Sequence, residues 1–207
     1  MDKLYFSEEH LMLRDMVRDF AVNEVRPISK DIDKNSIFPK ENIKKMAELG
    51  LMGIPWDTKY SGTGMDTRGL VIAIEEIGKE CASTAATMMA HTSLGTAPIA
   101  IFGNDEQKEK YLPLLASGKI LGAFGLTEPE AGSDAGNTQT RAIKYNDEYI
   151  INGQKAFCTN AGEAGTIIIT AVIEDDKVDK GIGAFIIDAD TKGLKIGPPE
   201  NKMGWKG

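Results

Sequence analysis

The spacing of apolar residues changes near Lys119, and that change limits the folds open to this chain more than any other feature. Before it, apolar residues recur every three to four positions; after it, they alternate every second position. Helices gathered ahead of strands, rather than alternating with them, argue for an α+β arrangement and against a doubly wound nucleotide fold. We therefore expect an all-α domain over residues 1–120. A β domain should follow over residues 121–207, as an antiparallel sheet or small barrel. With 207 residues and 42% hydrophobic content, there is enough apolar material for a sizeable core.

Ser7 is a candidate N-cap for a helix carrying Leu11, Val17, Phe20, Ala21 and Val25, with a kink at Pro27. A second helix should begin near Pro39, place Ile43, Met46 and Leu49 on one face, and stop at Gly50. The stretch from Ile54 to Gly69 reads as a loop; its Gly62 and Gly64 begin a dinucleotide-type pattern that Thr67 fails to complete. Helical spacing returns from Leu70 to Cys81 through Val71, Ile74 and Ile77, with Glu75 and Glu76 facing solvent or a neighbouring helix. Ser83 to Leu94 is almost uncharged, which fits either a central core helix or the wall of a narrow apolar pocket lined by Met88 and Met89. His91 has no second His or Cys at ligand spacing and reads as a hydrogen-bonded core histidine. Asn104 or Asp105 should cap a last helix that ends at Gly118.

Short strands are expected at Gln139 to Lys144, Tyr149 to Ile151, Lys155 to Thr159, Thr166 to Ile173 and Gly183 to Asp188. Asn146–Asp147, Asn152–Gly153 (type I′) and Asp175–Asp176 supply the turn residues between them. A net charge of -7 without a Lys/Arg block argues against a nucleic-acid partner. No stretch is long and apolar enough for a membrane span, and the acidic opening MDKLYFSEEH lacks the features of a signal or transit peptide. Cys81 and Cys158 lie far apart without CxxC spacing, so no metal site is indicated and a reducing cytoplasm is expected.

Leu121 to Leu126 reads as a strand that breaks at Thr127, Glu128 and Pro129 into a loop rich in Gly, Ser and Asp. One reading is a capped surface turn. The other is a cradle in which Thr127, Ser133 and nearby amides hold a ring edge or a phosphate, with Gly132 and Gly136 allowing positive φ and a ligand's close approach.

GLTEPEAGSDAG (Gly125 to Gly136) resembles the signature of the acyl-CoA dehydrogenase family, and DEYIINGQKAFCTNAG (Asp147 to Gly162) is similar to its second flavin-contacting segment. The likeness extends through AHTSLG (Ala90 to Gly95), FGNDEQKEKYLP (Phe102 to Pro113) and the closing ENKMGWKG, and overall it is nearest to the bacterial short-chain, butyryl-CoA type. It implies FAD as cofactor, held by Phe124, Gly125, Leu126, Thr127, Glu128, Pro129, Glu130, Ala131, Gly132 and Ser133. Leu126 and Thr127 would face the pyrimidine side, and Ser133 would touch both FAD and acyl-CoA. Phe157, Cys158 and Thr159 match the second segment, where the family usually has Trp in place of Phe157. Thr159 would bond near flavin N5, with Cys158 a buried bystander.

The resemblance further implies removal of an α-proton from a fatty acyl-CoA while the β-hydrogen leaves as hydride to the flavin, giving a trans-2-enoyl-CoA. Electrons would pass to an electron-transferring flavoprotein, within a homotetramer. The family's catalytic Glu belongs to a C-terminal four-helix domain, so no catalytic base is expected among these residues; Glu128 and Glu130 should be structural or solvated. By that likeness the β domain is expected to be incomplete at its C-terminal end, and the chain to be the front portion of a longer enzyme, inactive by itself. The rivals are a non-catalytic flavin- or acyl-CoA-binding or assembly protein, and an acyl-CoA oxidase.

Overall fold

The computed structural model describes residues 5–175 and 181–206. Ser7 caps helix α1 (Glu8–Phe20) through a reciprocal pair of hydrogen bonds with His10, whose Nε2 reaches on to Asp66 Oδ1 at 2.8 Å. A π-helical turn, Ala21–Val25, leads directly into α2 (Arg26–Asn35). Pro27 sits in the first turn of α2, so the break a proline imposes on the hydrogen-bond ladder is taken up by the wider turn ahead of it. Helix α3 (Lys40–Glu48) follows Pro39 and buries Ile43 and Met46, whereas Leu49 falls past its end and is exposed.

The loop from Ile54 is shorter than its composition suggests. Asp66 accepts hydrogen bonds from the amides of Arg68 and Gly69 and thereby starts α4 (Thr67–Glu80) ahead of Leu70. Glu75 is exposed, while the buried Glu76 takes two bonds from the Arg18 guanidinium at 3.0 and 3.1 Å and clips α4 to α1. Helix α5 (Ala82–Met89) continues through a second π segment, Ala90–Thr96, into α6 (Ala97–Phe102). Helix α7 (Asp105–Ala116) starts from a capping box between Asn104 and Gln107. Val17, Met46, Leu51, Ile77 and Met88 meet in the helical core. Among the described residues no helix is long and apolar enough to cross a membrane.

Among the described residues five strands follow: β1 (Leu121–Gly125), β2 (Arg141–Tyr145), β3 (Glu148–Asn152), β4 (Ala164–Glu174) and β5 (Ile182–Asp188). The α+β order is the one the periodicity predicts. The sheet, however, is mixed and open rather than antiparallel or closed. Strand β4 carries β1 parallel along Ala164 to Ile169, β2 parallel along Val172 to Glu174, and β5 antiparallel along Thr166 to Val172. An 11-residue strand is long enough to seat two short strands in succession, and the excursions between them supply the crossovers that parallel neighbours require. Strand β3 joins β2 in the first of the expected hairpins, turned at Asn146, whose φ is +54°.

Residues Lys155 to Thr159 do not form a strand, and Asn152–Gly153 is not a hairpin turn. Gly153 is pressed against Thr140, where an added Cβ would lie 2.6 Å from the Thr140 Cβ, and the chain then leaves the sheet. The expected turn at Asp175–Asp176 includes Asp176, which lies outside the described residues.

The helical and sheet parts meet where the second π segment crosses β1. A Cβ on Gly95 would lie 2.6 Å from the Gly122 Cα, so the two backbones are in direct contact. Fully buried His91 accepts from the Gly122 amide at Nδ1 (2.9 Å) and reaches the Leu115 carbonyl with Nε2 at 3.1 Å, which fixes the neutral ring with its proton on Nε2. Burial pushes the His91 pKa down from 6.5 to about 4, against the opposing pull of the Leu115 and Met52 carbonyls. The unfolded chain therefore binds this proton more readily than the folded one. The stability His91 contributes is complete above pH 6.5 and is lost as the pH falls toward about 4. The slope should approach 1.4 kcal/mol per pH unit, on the order expected for one group. Urea denaturation between these limits should show a profile steeper in the wild type than in His91→Gln by about that slope; parallel profiles would contradict it.

Candidate functional site

Strand β1 ends at Gly125 and hands the chain to a loop spanning residues 126–140. Glu128 and Ala131 exchange backbone hydrogen bonds of 2.9 and 3.2 Å, closing a tight turn with Pro129 and Glu130 exposed at its corner. Ser133 and Gly132 follow on the surface. Neither Gly132 nor Gly136 has the positive φ expected of it. Gly132 instead supplies open space, since a Cβ there would have no neighbour within 4 Å.

Glu128 turns inward, away from the surface of the loop. Its carboxylate accepts from the hydroxyls of Thr138 and Thr140, from the amides of Gln139 and Thr140, and from Lys155 Nζ at 2.6 Å. The Lys155 ammonium also reaches the Leu126 carbonyl (3.2 Å) and the hydroxyls of Thr138 and Thr170 (both 3.1 Å). Burial works to raise the Glu128 pKa, but the bonds from Lys155, Thr138, Thr140 and Gln139 hold it well below the usual carboxylate range. An acceptor this occupied does not serve as a base. Glu128 is structural, and Glu130 is solvated.

The second segment is laid alongside the first. The Ala156 amide donates to the Thr127 carbonyl at 2.7 Å, and Lys155 crosses Gly125 so closely that a Cβ there would lie 3.1 Å from the Lys155 Cγ. Phe157 then adopts φ +54°, unusual for a bulky residue, and its side chain is 71% exposed. Leu126 is exposed where the first segment leaves β1, and Thr159 at the end of the second. Cys158 packs on Ala123, Ala164 and Ile167, and burial raises its thiol pKa. The surface so formed has apolar faces at Leu126 and Phe157, with the hydroxyls of Thr127, Ser133 and Thr159 placed on the same two segments. That donor set suits a planar, partly polar ring.

The two methionines part company. Met88 is fully buried in the helical core, so the pocket-wall expectation fails for it: consecutive helical residues point about 100° apart, and Met88 takes the inner face. Met89 is exposed on the opposite stripe with Ala82 and Ser93. Asn160 and Lys155 were not singled out by the sequence as site residues. Asn160 is buried with φ +70°, and its Nδ2 donates to the Thr87 carbonyl of α5 at 3.0 Å. A lysine and an asparagine bracketing the KAFCTNA stretch were the available signals, but their partners lie far away in sequence.

Family models for the acyl-CoA dehydrogenase N-terminal domain and middle domain match residues 7–119 and 123–207. The chain belongs to the acyl-CoA dehydrogenase family. It is 50% identical over 97% of its length to a probable acyl-CoA dehydrogenase of Bacillus subtilis, covering 53% of that protein. It is 48% identical over 96% of its length to the short-chain specific acyl-CoA dehydrogenase of Clostridium acetobutylicum, covering 52%. An acryloyl-CoA reductase (NADH) of Anaerotignum propionicum is 45% identical over the full chain, which covers 53% of it.

Among solved structures, butyryl-CoA dehydrogenase from Megasphaera elsdenii superposes with a TM-score of 0.91 at 38% identity, over 97% of this chain and 54% of that one. An acyl-CoA dehydrogenase from Bacillus anthracis complexed with FAD gives 0.89 at 38% identity, over 98% and 35%. A structure described under the electron transferring flavoprotein of Acidaminococcus fermentans gives 0.92 at 41% identity, over 97% and 53%. The chain thus spans about half the length of the curated relatives it matches. One of these acyl-CoA dehydrogenase structures is complexed with FAD, and the exposed apolar faces and hydroxyls of the present cradle would fit such a group.

Lys155→Met should leave the Glu128 carboxylate buried without its counter-ion and destabilise the protein by about 3–5 kcal/mol. The double variant Lys155→Met/Glu128→Gln should recover part of that loss. Equal urea midpoints for Lys155→Met and wild type would contradict the pairing.

Proposed function

We propose that residues 1–120 and 121–207 are the helical and sheet domains of an FAD-dependent enzyme that dehydrogenates a short-chain acyl-CoA to a trans-2-enoyl-CoA. The observation that carries this reading is the joining of the two segments by the Ala156–Thr127 bond, which sets the exposed Phe157 ring beside a loop of hydroxyls and open glycine backbone. FAD, when bound, supplies the acceptor for the hydride. The chain's own residues bind and orient: Leu126 and Phe157 offer apolar faces, and Thr127, Ser133 and Thr159 offer hydroxyls to the ring edge. Met89 borders the acyl slot. The α-proton is taken by a carboxylate outside this set, because Glu128 is held by five donors. Electrons pass to an electron-transferring flavoprotein from a cytoplasmic homotetramer; the likeness to the Acidaminococcus structure supports that acceptor.

A second reading is reduction of an enoyl-CoA, favoured by the 45% identity to a relative named as a reductase. FAD titration followed by flavin fluorescence tests the shared core of both. Phe157→Ala should weaken binding by about tenfold, the loss of one aromatic contact. In the active enzyme, Met89→Ala should shift chain-length preference toward longer acyl-CoA by about 1–3 kcal/mol. Equal FAD affinity in Phe157→Ala and wild type would remove the second segment from the site. An unchanged chain-length profile would return Met89 to the surface.

A further inference from the structure

Within four residues of the second segment, three departures from ordinary structure coincide. Phe157 holds φ +54° with its ring in the open, Asn160 holds φ +70° while buried, and the Asn160 Oδ1 is buried without a hydrogen-bond partner among the described residues. Asparagine tolerates the left-handed region; phenylalanine does so at a cost. Such features persist where surrounding contacts over-determine them, and they gather at ligand sites.

The contacts here are specific. Asn160 Nδ2 donates to the Thr87 carbonyl at 3.0 Å and approaches the Gly122 carbonyl at 3.4 Å, while His91, one helical turn beyond Thr87, takes the Gly122 amide. The turn itself is drawn tight by the Ala161 amide on the Cys158 carbonyl (3.2 Å) and the Glu163 amide on the Asn160 carbonyl (2.9 Å). Thr87 immediately precedes Met88 and Met89 on α5, so one side-chain amide ties the cofactor segment to the helix beside the acyl slot.

The geometry points to Asn160 as a positioning residue that holds Phe157 in its strained conformation and sets the cofactor face against α5, an inference that rests on the flavin reading of this site. The Asn160 side chain is buried and spends its donor on the Thr87 and Gly122 carbonyls. Its amide acts through the turn: without it, Phe157 is free to relax to negative φ, and the ring leaves the face it presents. The unpartnered Oδ1 fits this role, because the amide is oriented by its donor side alone.

Asn160→Gly and Asn160→Asp separate the clamp from the backbone conformation, since both tolerate positive φ and both lack the donor. In cofactor-free protein, amide hydrogen exchange at residues 157–161 should accelerate at least tenfold in both variants, while exchange within α5 and β4 stays as in wild type. The FAD dissociation constant should rise at least tenfold. If Asn160→Asp fails to fold, Asn160→Gly decides alone. Unchanged exchange at residues 157–161 overturns the clamp, and faster exchange with unchanged FAD affinity overturns its positioning role. Wild-type protein that ignores FAD overturns the functional reading and the cofactor half of this inference, whereas the exchange data still judge the clamp.

Discussion

Gly95 and Gly122 face each other backbone to backbone, and that contact sets the distance between the helices and the sheet. A Cβ on Gly95 would lie 2.4 Å from the Gly122 carbonyl carbon, so a main chain would have to move, and one on Gly122 would lie 3.0 Å from the Gly95 backbone and 3.2 Å from the Leu115 Cδ2. His91 completes the seam by taking up the Gly122 amide, a donor that β1 would otherwise bury unpaired at the crossing. Since β1 runs directly into the cradle loop, the position of the loop is inherited from this crossing. The π segment that carries Gly95 is part of the same device: its wider turn displaces the helix backbone locally, as such bulges do at functional sites.

Beneath the loop, the Glu128–Lys155 pair fastens the loop to the second segment. Burying two charges is expensive, and a hydrophobic pair of similar volume would often be as stable. What the ions add is definition: each has several partners, so the loop and the second segment have one mutual arrangement. The exposed surface above can then be apolar and irregular, with Phe157 in a conformation the chain would not choose by itself. A rigid polar base thus supports a strained face.

What was legible in the sequence was what is local. Ser7 and Asn104 act as caps because a cap and its partners lie within three residues, and His91 reads as a core histidine because no second ligand lies near it. The period change near Lys119 gave the α+β order. Strand direction was not legible, because parallel pairing of β1 and β2 with β4 depends on crossovers of many residues. Lys155 to Thr159 has strand-like composition, yet Gly153 against Thr140 and the positive φ of Phe157 take it out of the sheet. The inward role of Glu128 was hidden because its partners sit at 138, 140 and 155. The two segments that form the cradle stand out as motifs, whereas the partners of Asn160, Thr87 and Gly122, lie far from it in sequence.

If the Gly95–Gly122 contact places the cradle, a methyl group at that seam must be felt on both sides of it. The most direct measurement is urea unfolding of Gly95→Ala, followed at once by helical circular dichroism and by the fluorescence of a reporter introduced as Phe157→Trp. The predicted result is a shift of both signals together to lower urea, by about 1–3 kcal/mol for an overpacked contact. A helical signal that shifts while the signal from position 157 stays in place, or no shift in either, would contradict the dependence of the cradle on that seam.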